Sequence, residues 1–134
     1  MKTKKIHYII ASHGQLSQGY TNTINLLTQN NNVNAITAYL DDVFPDNLIK
    51  LMETFQSKDD VIIFTDISCG SVTQKVLELY GNKPNVYIFS GINLPMILEI
   101  ILHGETPTSE YCDKVLQSAR EQITCLHNFT KTRD

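Results

Sequence analysis

A chain of 134 residues, 42% of them hydrophobic, can bury one continuous core without disulfide or metal staples, so residues 1–134 are read as a single domain. A formal net charge of -3, with no dense basic run beyond Lys2, Lys4 and Lys5, gives phosphate backbones little to hold and excludes nucleic acid as an expected partner. The three cysteines, Cys69, Cys112 and Cys125, form neither a CxxC pair nor the spaced pairs of a zinc site, so no metal is expected and a reduced, cytosolic setting fits best.

From the N-terminus, the apolar run Ile6 to Ala11 is too short for the core of a secretory signal. Rich in β-branched residues and ended by Ser12, His13 and Gly14, it reads as a strand followed by a loop. Leu16, Tyr20, Ile24 and Leu27 then recur at helical spacing, and Asn30, Asn31 and Asn32 read as a turn. Val33 to Leu40 reads as a second strand closed by Asp41 and Asp42, after which Pro45 opens a helix with Leu48, Met52 and Phe55 on one face. Val61 to Thr65 is a third strand closed by Asp66. Beyond the loop Ile67 to Ser71, a helix with Val72, Val76 and Leu79 on one face stops at Gly81, glycine being the residue that enters a left-handed cap most freely.

Val86 to Ser90 is the fourth strand. Leu94 to Leu102 is apolar nearly all round, as in a helix buried on most sides, and Pro95 and Glu99 break it as a membrane span. Thr106 can cap a last helix with Pro107 at its first position, running to Gln122. The tail Ile123 to Phe129 alternates apolar with polar residues and fits a fifth strand or the last helix continued, with the strand favoured.

Strands alternating with helices at this spacing predict βαβ units, a mainly parallel sheet and helices on both of its faces. In such sheets the working site lies beyond the carboxyl ends of the strands, where chain order switches direction. Three loops are thereby singled out, Ser12 to Gln15, Asp66 to Ser71 and Gly91 to Leu94, and they contain His13, Asp66 and Ser71. A histidine attacks phosphorus only through an unprotonated ring nitrogen, and a carboxylate bonded to the other nitrogen fixes the tautomer that leaves it free. Asp66 is assigned that role.

Phosphoryl transfer through a loose transition state depends on positioning and on donors aimed at the peripheral oxygens. No Arg sits in these loops, so neutral donors are required. The backbone N–H groups of Gly70 and Ser71 at a helix N-terminus, with the Ser71 hydroxyl, have the right polarity, and Gly14 beside the histidine is counted with them. Asn93, Leu94 and Pro95 form the expected wall of the site.

The segments Ala11-Ser12-His13-Gly14, Thr65-Asp66-Ile67-Ser68-Cys69-Gly70-Ser71 and Gly91-Ile92-Asn93-Leu94-Pro95-Met96 resemble, in order and spacing, three signature stretches of the mannose-class enzyme IIA domain of the sugar phosphotransferase system (PTS). The similarity runs from about Ile6 to Phe129. It implies a flavodoxin-like fold with four parallel strands and an antiparallel C-terminal edge strand exchanged within a homodimer. It also implies a phosphohistidine at His13, an Asp66 partner and a phosphate contact at Ser71, with no cofactor. The donor implied is the histidine-containing carrier protein HPr, and the acceptor is a IIB component that phosphorylates sugar carried by membrane components IIC and IID. The chain departs from the family in having Cys69 before Gly70, where two glycines are usual, and Val72 where proline is frequent.

Rival readings fare less well. His7, His103 and His127 lie in a strand, at a helix end and in the tail, and are read as structural. A two-component receiver needs an acidic pair after strand one, where this chain has Ser12 and His13. Cys69 followed by five residues and Lys75 has the spacing of a cysteine phosphatase loop, but that loop needs an Arg to clamp two phosphate oxygens. A flavin- or nucleotide-binding module would want a glycine-rich fingerprint that is absent here. Within the resembled family, a phosphoryl-donor subunit of a dihydroxyacetone kinase and a regulatory paralogue are the alternatives.

Overall fold

The apolar runs of the sequence become four parallel strands, β1 (Ile6–His13), β2 (Val33–Ala38), β3 (Asp60–Thr65) and β4 (Val86–Ser90), in the order β2-β1-β3-β4. The computed structural model describes residues 4–30 and 32–127, so Asn31 of the expected turn lies outside the described residues. Five helices, α1 (Leu16–Thr28), α2 (Asp46–Glu53), α3 (Ser71–Tyr80), α4 (Leu94–His103) and α5 (Ser109–Glu121), cover the sheet. This is the flavodoxin-like, doubly wound α/β architecture expected.

Alternation along the strands divides the core into two layers. Tyr8, Ile10, Ile62, Phe64 and Phe89 point to one face and pack with Ile24 of α1, Ile97 and Ile100 of α4, and Val115 of α5. Ile9, Ala11, Val61 and Ile63 point to the other, where Leu48 of α2 and Val72 and Val76 of α3 cover them. Every residue of β3 is buried, because this strand has a neighbour on each side and helices above and below. Each large apolar side chain removed from water there stabilises the fold by about 1.5–3 kcal/mol.

The register aligns the strand ends. His13 lies opposite Ala38, Ala11 opposite Thr65, and Thr65 opposite Ser90. The residues that follow β2, β3 and β4, namely Tyr39, Asp66 and Gly91, therefore share one rim with His13. β2 and β3 flank β1 on opposite sides, so the switch point of the sheet falls at β1.

Several boundaries differ from the sequence expectations. β2 stops at Ala38, two residues before Leu40, because Tyr39 turns into the left-handed region at φ 70. α5 starts after Thr108, whose hydroxyl accepts from the Tyr111 N–H at 3.1 Å. Thr106 cannot serve as that cap, since its hydroxyl donates to the buried Asp60 carboxylate. Gly81 does end α3, but at φ -61; it is space that favours glycine here, for a Cβ would come within 2.6 Å of the Leu77 carbonyl oxygen.

The tail differs as well. Residues 123–127 form no fifth strand, and Asn128 and Phe129 lie outside the described residues. An extended segment becomes a strand only where a ladder of hydrogen bonds pairs it with a neighbour. The segment turns off α5 through bonds from Gln122 N–H to Ala119 and from Ile123 N–H to Arg120, which leaves Ile123 72% and Leu126 92% exposed. Among the described residues, no helix is long and apolar enough to cross a membrane.

Candidate active site

β1 delivers His13 to the rim, and the chain then reverses through Gly14, whose φ of 58 suits a residue without a Cβ. The turn is fixed on both sides. Gly14 N–H donates to the Ala38 carbonyl at 2.9 Å, and the fully buried Ser12 hydroxyl accepts from Ser17 N–H at 2.7 Å inside the first turn of α1. Ser17 in turn donates its hydroxyl to the Ile36 carbonyl at 3.0 Å. The histidine thus stands on a backbone tied to both β2 and α1.

Asp66 follows β3 directly and meets His13 twice through one oxygen. Its Oδ2 accepts from the His13 backbone N–H at 2.9 Å and lies 2.9 Å from the ring Nδ1, while Oδ1 accepts from Ile67 N–H at 2.9 Å. Burial pushes the Asp66 carboxyl up, but the His13 amide, the His13 ring and the Ile67 amide together outweigh it and hold the group below the usual carboxylate range. An ionised carboxylate only accepts, so Nδ1 is the donor and the lone pair of the neutral ring sits on Nε2. The Asp66 side chain is 7% exposed and that of His13 is 40% exposed. An imidazole held this way presents one unprotonated nitrogen outward, which suits attack on an electrophilic centre such as phosphorus.

The third strand's loop closes the other side. Gly70 is the N-cap of α3, with Ser71 as the first helical residue. The Gly70 N–H is taken by the Ile67 carbonyl at 3.0 Å, so what this glycine contributes is room: a Cβ would stand 3.4 Å from His13 Cε1 and 3.2 Å from Ile67 Cβ. Gly14 N–H is likewise engaged with Ala38. Of the neutral donors expected from the sequence, the Ser71 hydroxyl is the one whose partner is another hydroxyl of the rim: its Oγ lies 2.7 Å from Tyr39 Oη.

Asn93, expected as a site wall, is occupied in holding helices together: its Oδ1 accepts from Met96 N–H at 3.0 Å and its Nδ2 donates to the Ala119 carbonyl at 3.0 Å. Leu94 lines an open cleft beside Gln15 and Leu16 on the α1 side of the rim, and Pro95 is exposed in the first turn of α4. The end of β4 meets the loop after β3 through a Ser68 to Ser90 hydroxyl contact of 2.9 Å. Cys69 is exposed and unpaired in a disulfide.

Tyr39 is the rim residue that reading the sequence passed over. Its ring lies 5.3 Å from the His13 ring at 40°, and Phe44 approaches it edge-on at 6.2 Å. A left-handed conformation at a tyrosine costs about 1–2 kcal/mol, and with 58% of the residue exposed, burial does little to offset it. The signal that could have found it was available: the rule that placed the site beyond the strand ends applies to β2 as well as to β1, β3 and β4.

Leu16, Leu40, Val43 and Ile67 are each about half exposed and lie on the segments that flank His13, interspersed with the exposed Gln15, Asp41, Asp42 and Ser68.

The sequence and the fold were compared with known proteins. A family model described as PTS system fructose IIA component matches residues 7–116. The sorbose-specific EIIA component of the PTS from Klebsiella pneumoniae is 26% identical over 130 residues, covering 95% of this chain and 96% of that protein. Among solved structures, a protein assigned to a phosphoenolpyruvate-dependent sugar PTS permease of Klebsiella pneumoniae is 29% identical with a TM-score of 0.80, over 93% of each chain. The PTS IIA protein associated with the fucose utilization operon of Streptococcus pneumoniae shares the fold at 19% identity and a TM-score of 0.80, over 94% of this chain and 96% of that one. So does the mannose/sorbose specific IIA subunit of Enterococcus faecalis, at 17% identity and 0.71, over 96% and 99%.

Proposed function

We propose that this chain, which belongs to the PTS system fructose IIA component family, is a phosphoryl carrier that takes the group from phospho-HPr onto His13 Nε2 and passes it to a IIB component. One observation supports the reading: the 2.9 Å contact between His13 Nδ1 and the Asp66 carboxylate makes Nδ1 the donor, so the tautomer that can react carries its lone pair on Nε2. In the first half-reaction that lone pair attacks phosphorus, the Nε2–P bond forms, and the donor's N–P bond breaks and returns its electron pair to the donor imidazole. The positive charge gained by the His13 ring is stabilised by Asp66, which keeps the Nδ1 proton in its hydrogen bond. The second half-reaction is the same displacement with IIB as nucleophile.

The half-exposed apolar side chains around His13 form the surface on which a partner's site is laid during transfer. The carrier works in the cytoplasm, meeting the IIC and IID components through IIB at the inner face of the membrane. It acts as a homodimer. β4 leaves an outer edge without a strand neighbour among the described residues, beside a groove lined by Tyr87, Phe89 and Leu116, while Ile123 and Leu126 stand exposed on the tail of the same chain. An exchanged tail would cover both.

The test is incubation with phosphoenolpyruvate, enzyme I and HPr, followed by mass spectrometry under alkaline conditions that preserve phosphohistidine. One phosphoryl group mapping to His13 is expected, and none on the His13→Ala variant. Labelling of that variant at the rate of the unaltered protein would end the proposal.

A further inference from the structure

We infer that Tyr39 is a positioning residue for phosphoryl transfer, its phenol donating to Ser71 Oγ so that the single Ser71 hydroxyl proton is free to reach a phosphoryl oxygen on His13. The inference rests on the reading of His13 as the phosphoryl acceptor and adds to it a second hydroxyl that the family's signature stretches quoted above do not contain.

A transferred phosphoryl group brings oxygens that only accept, and donors must meet them. The segments 12–15 and 66–71 hold no Lys or Arg. Of the neutral donors expected at the site, Gly14 N–H and Gly70 N–H are spent on the Ala38 and Ile67 carbonyls, which leaves the Ser71 N–H at the start of α3 and the Ser71 hydroxyl. The Ser71 hydroxyl carries one proton. Were Ser71 to donate it to Tyr39, across the 2.7 Å between them, nothing of that side chain would be left for the phosphoryl group.

A phenol is the better hydrogen-bond donor of the two hydroxyls, and an anionic acceptor on the Ser71 side favours the direction Tyr39 to Ser71 to phosphoryl oxygen. Two hydroxyls in series polarise one another, so the Ser71 O–H becomes a stronger donor than an isolated serine would be. The backbone is arranged to allow this. Left-handed φ at Tyr39 turns the side chain away from the line of β2 and over the site, where the ring leans on His13 and Phe44. A non-glycine residue held in this region next to a reactive group is an outlier that points to use.

Tyr39→Phe tests the inference, because it keeps the ring against His13 and Phe44 and removes the hydroxyl alone. The rate of phosphoryl transfer from phospho-HPr is expected to fall about 3- to 30-fold. In a Ser71→Ala background the same exchange should cost less than about twofold, since the hydrogen bond it breaks is already gone. Equal losses in both backgrounds, or a Tyr39→Phe protein that transfers as fast as the unaltered one, would overturn the inference while leaving the carrier reading intact. Absence of phosphoryl on His13 in the unaltered protein would instead take both down.

Discussion

Two histidine–aspartate pairs stand at opposite ends of the same two strands, and their contrast supports His13 as the candidate site. His7 and His13 both lie on β1, six residues apart and hence on one face of the sheet, and Asp59 and Asp66 bracket β3. Both contacts measure 2.9 Å. In the lower pair the carboxylate takes Nε2, and the ring lies flat on Phe55 at 3.9 Å, with 14% of the side chain exposed. In the upper pair the carboxylate takes Nδ1, and 40% of the histidine side chain is exposed. A hydrogen-bonded imidazole is therefore common material; which nitrogen is held, and how far the ring is covered, is what distinguishes the candidate site from its counterpart.

The sharpest way to break this comparison is to exchange the carboxylates. Asp66→Asn lets the amide N–H face Nδ1 and shifts the ring proton to Nε2, and transfer from phospho-HPr should fall about 10²- to 10⁴-fold. Asp59→Asn should leave transfer within about twofold, being at the far end of the sheet. A reversal of those two results, read by the rate of His13 phosphorylation, would contradict the division of labour.

Next in size is the structural role of the lower pair. His7→Ala removes the ring stacked on Phe55 and the partner of Asp59, and should lower Tm by about 2–8 °C in thermal unfolding with phosphoryl transfer retained. An unchanged Tm would remove the structural role.

The smallest effect is in pH. The hydrogen bond from His7 pulls the Asp59 carboxyl below its ordinary 3.8, burial opposes it and the Lys5 amide adds to the pull; Asp66 is also held low. With folded values below unfolded ones, the unfolded chain binds more protons in between, so stability rises with pH there. This contribution is complete above about pH 5 and drains away as pH falls through the folded values. Tm measured at steps from pH 6 to pH 3 should therefore drop more steeply in the unaltered protein than in Asp59→Asn. Parallel curves would refute the linkage.

Much of this was legible in the sequence because it rests on short-range pattern. The β-branched runs, the helical spacing of Val72 and Val76, and the rule that βαβ units bring strand ends together were enough to set His13, Asp66 and Ser71 on one rim. The strand-end rule reaches β2 as well, but where β2 ends was not legible, because β-forming residues continue to Leu40 while the backbone leaves the sheet after Ala38, with Tyr39 at φ 70. Thr106 and Thr108 are equally good caps by type, and the buried Asp60 decides between them. The tail carries a strand pattern without a strand among residues 123–127, since pairing needs an edge from elsewhere.

The double grip of Asp66 Oδ2 on both the main chain and the ring of His13 has a kinetic meaning. The imidazole cannot turn over to offer its other nitrogen without breaking its tether, so under the carrier proposal cargo would be loaded and unloaded through a single doorway. Donor and acceptor would then be rivals for one berth, each having to leave before the other docks. The steady-state signature expected of that proposal is a double-displacement pattern, with parallel reciprocal plots and inhibition of each half-reaction by an excess of the opposite partner.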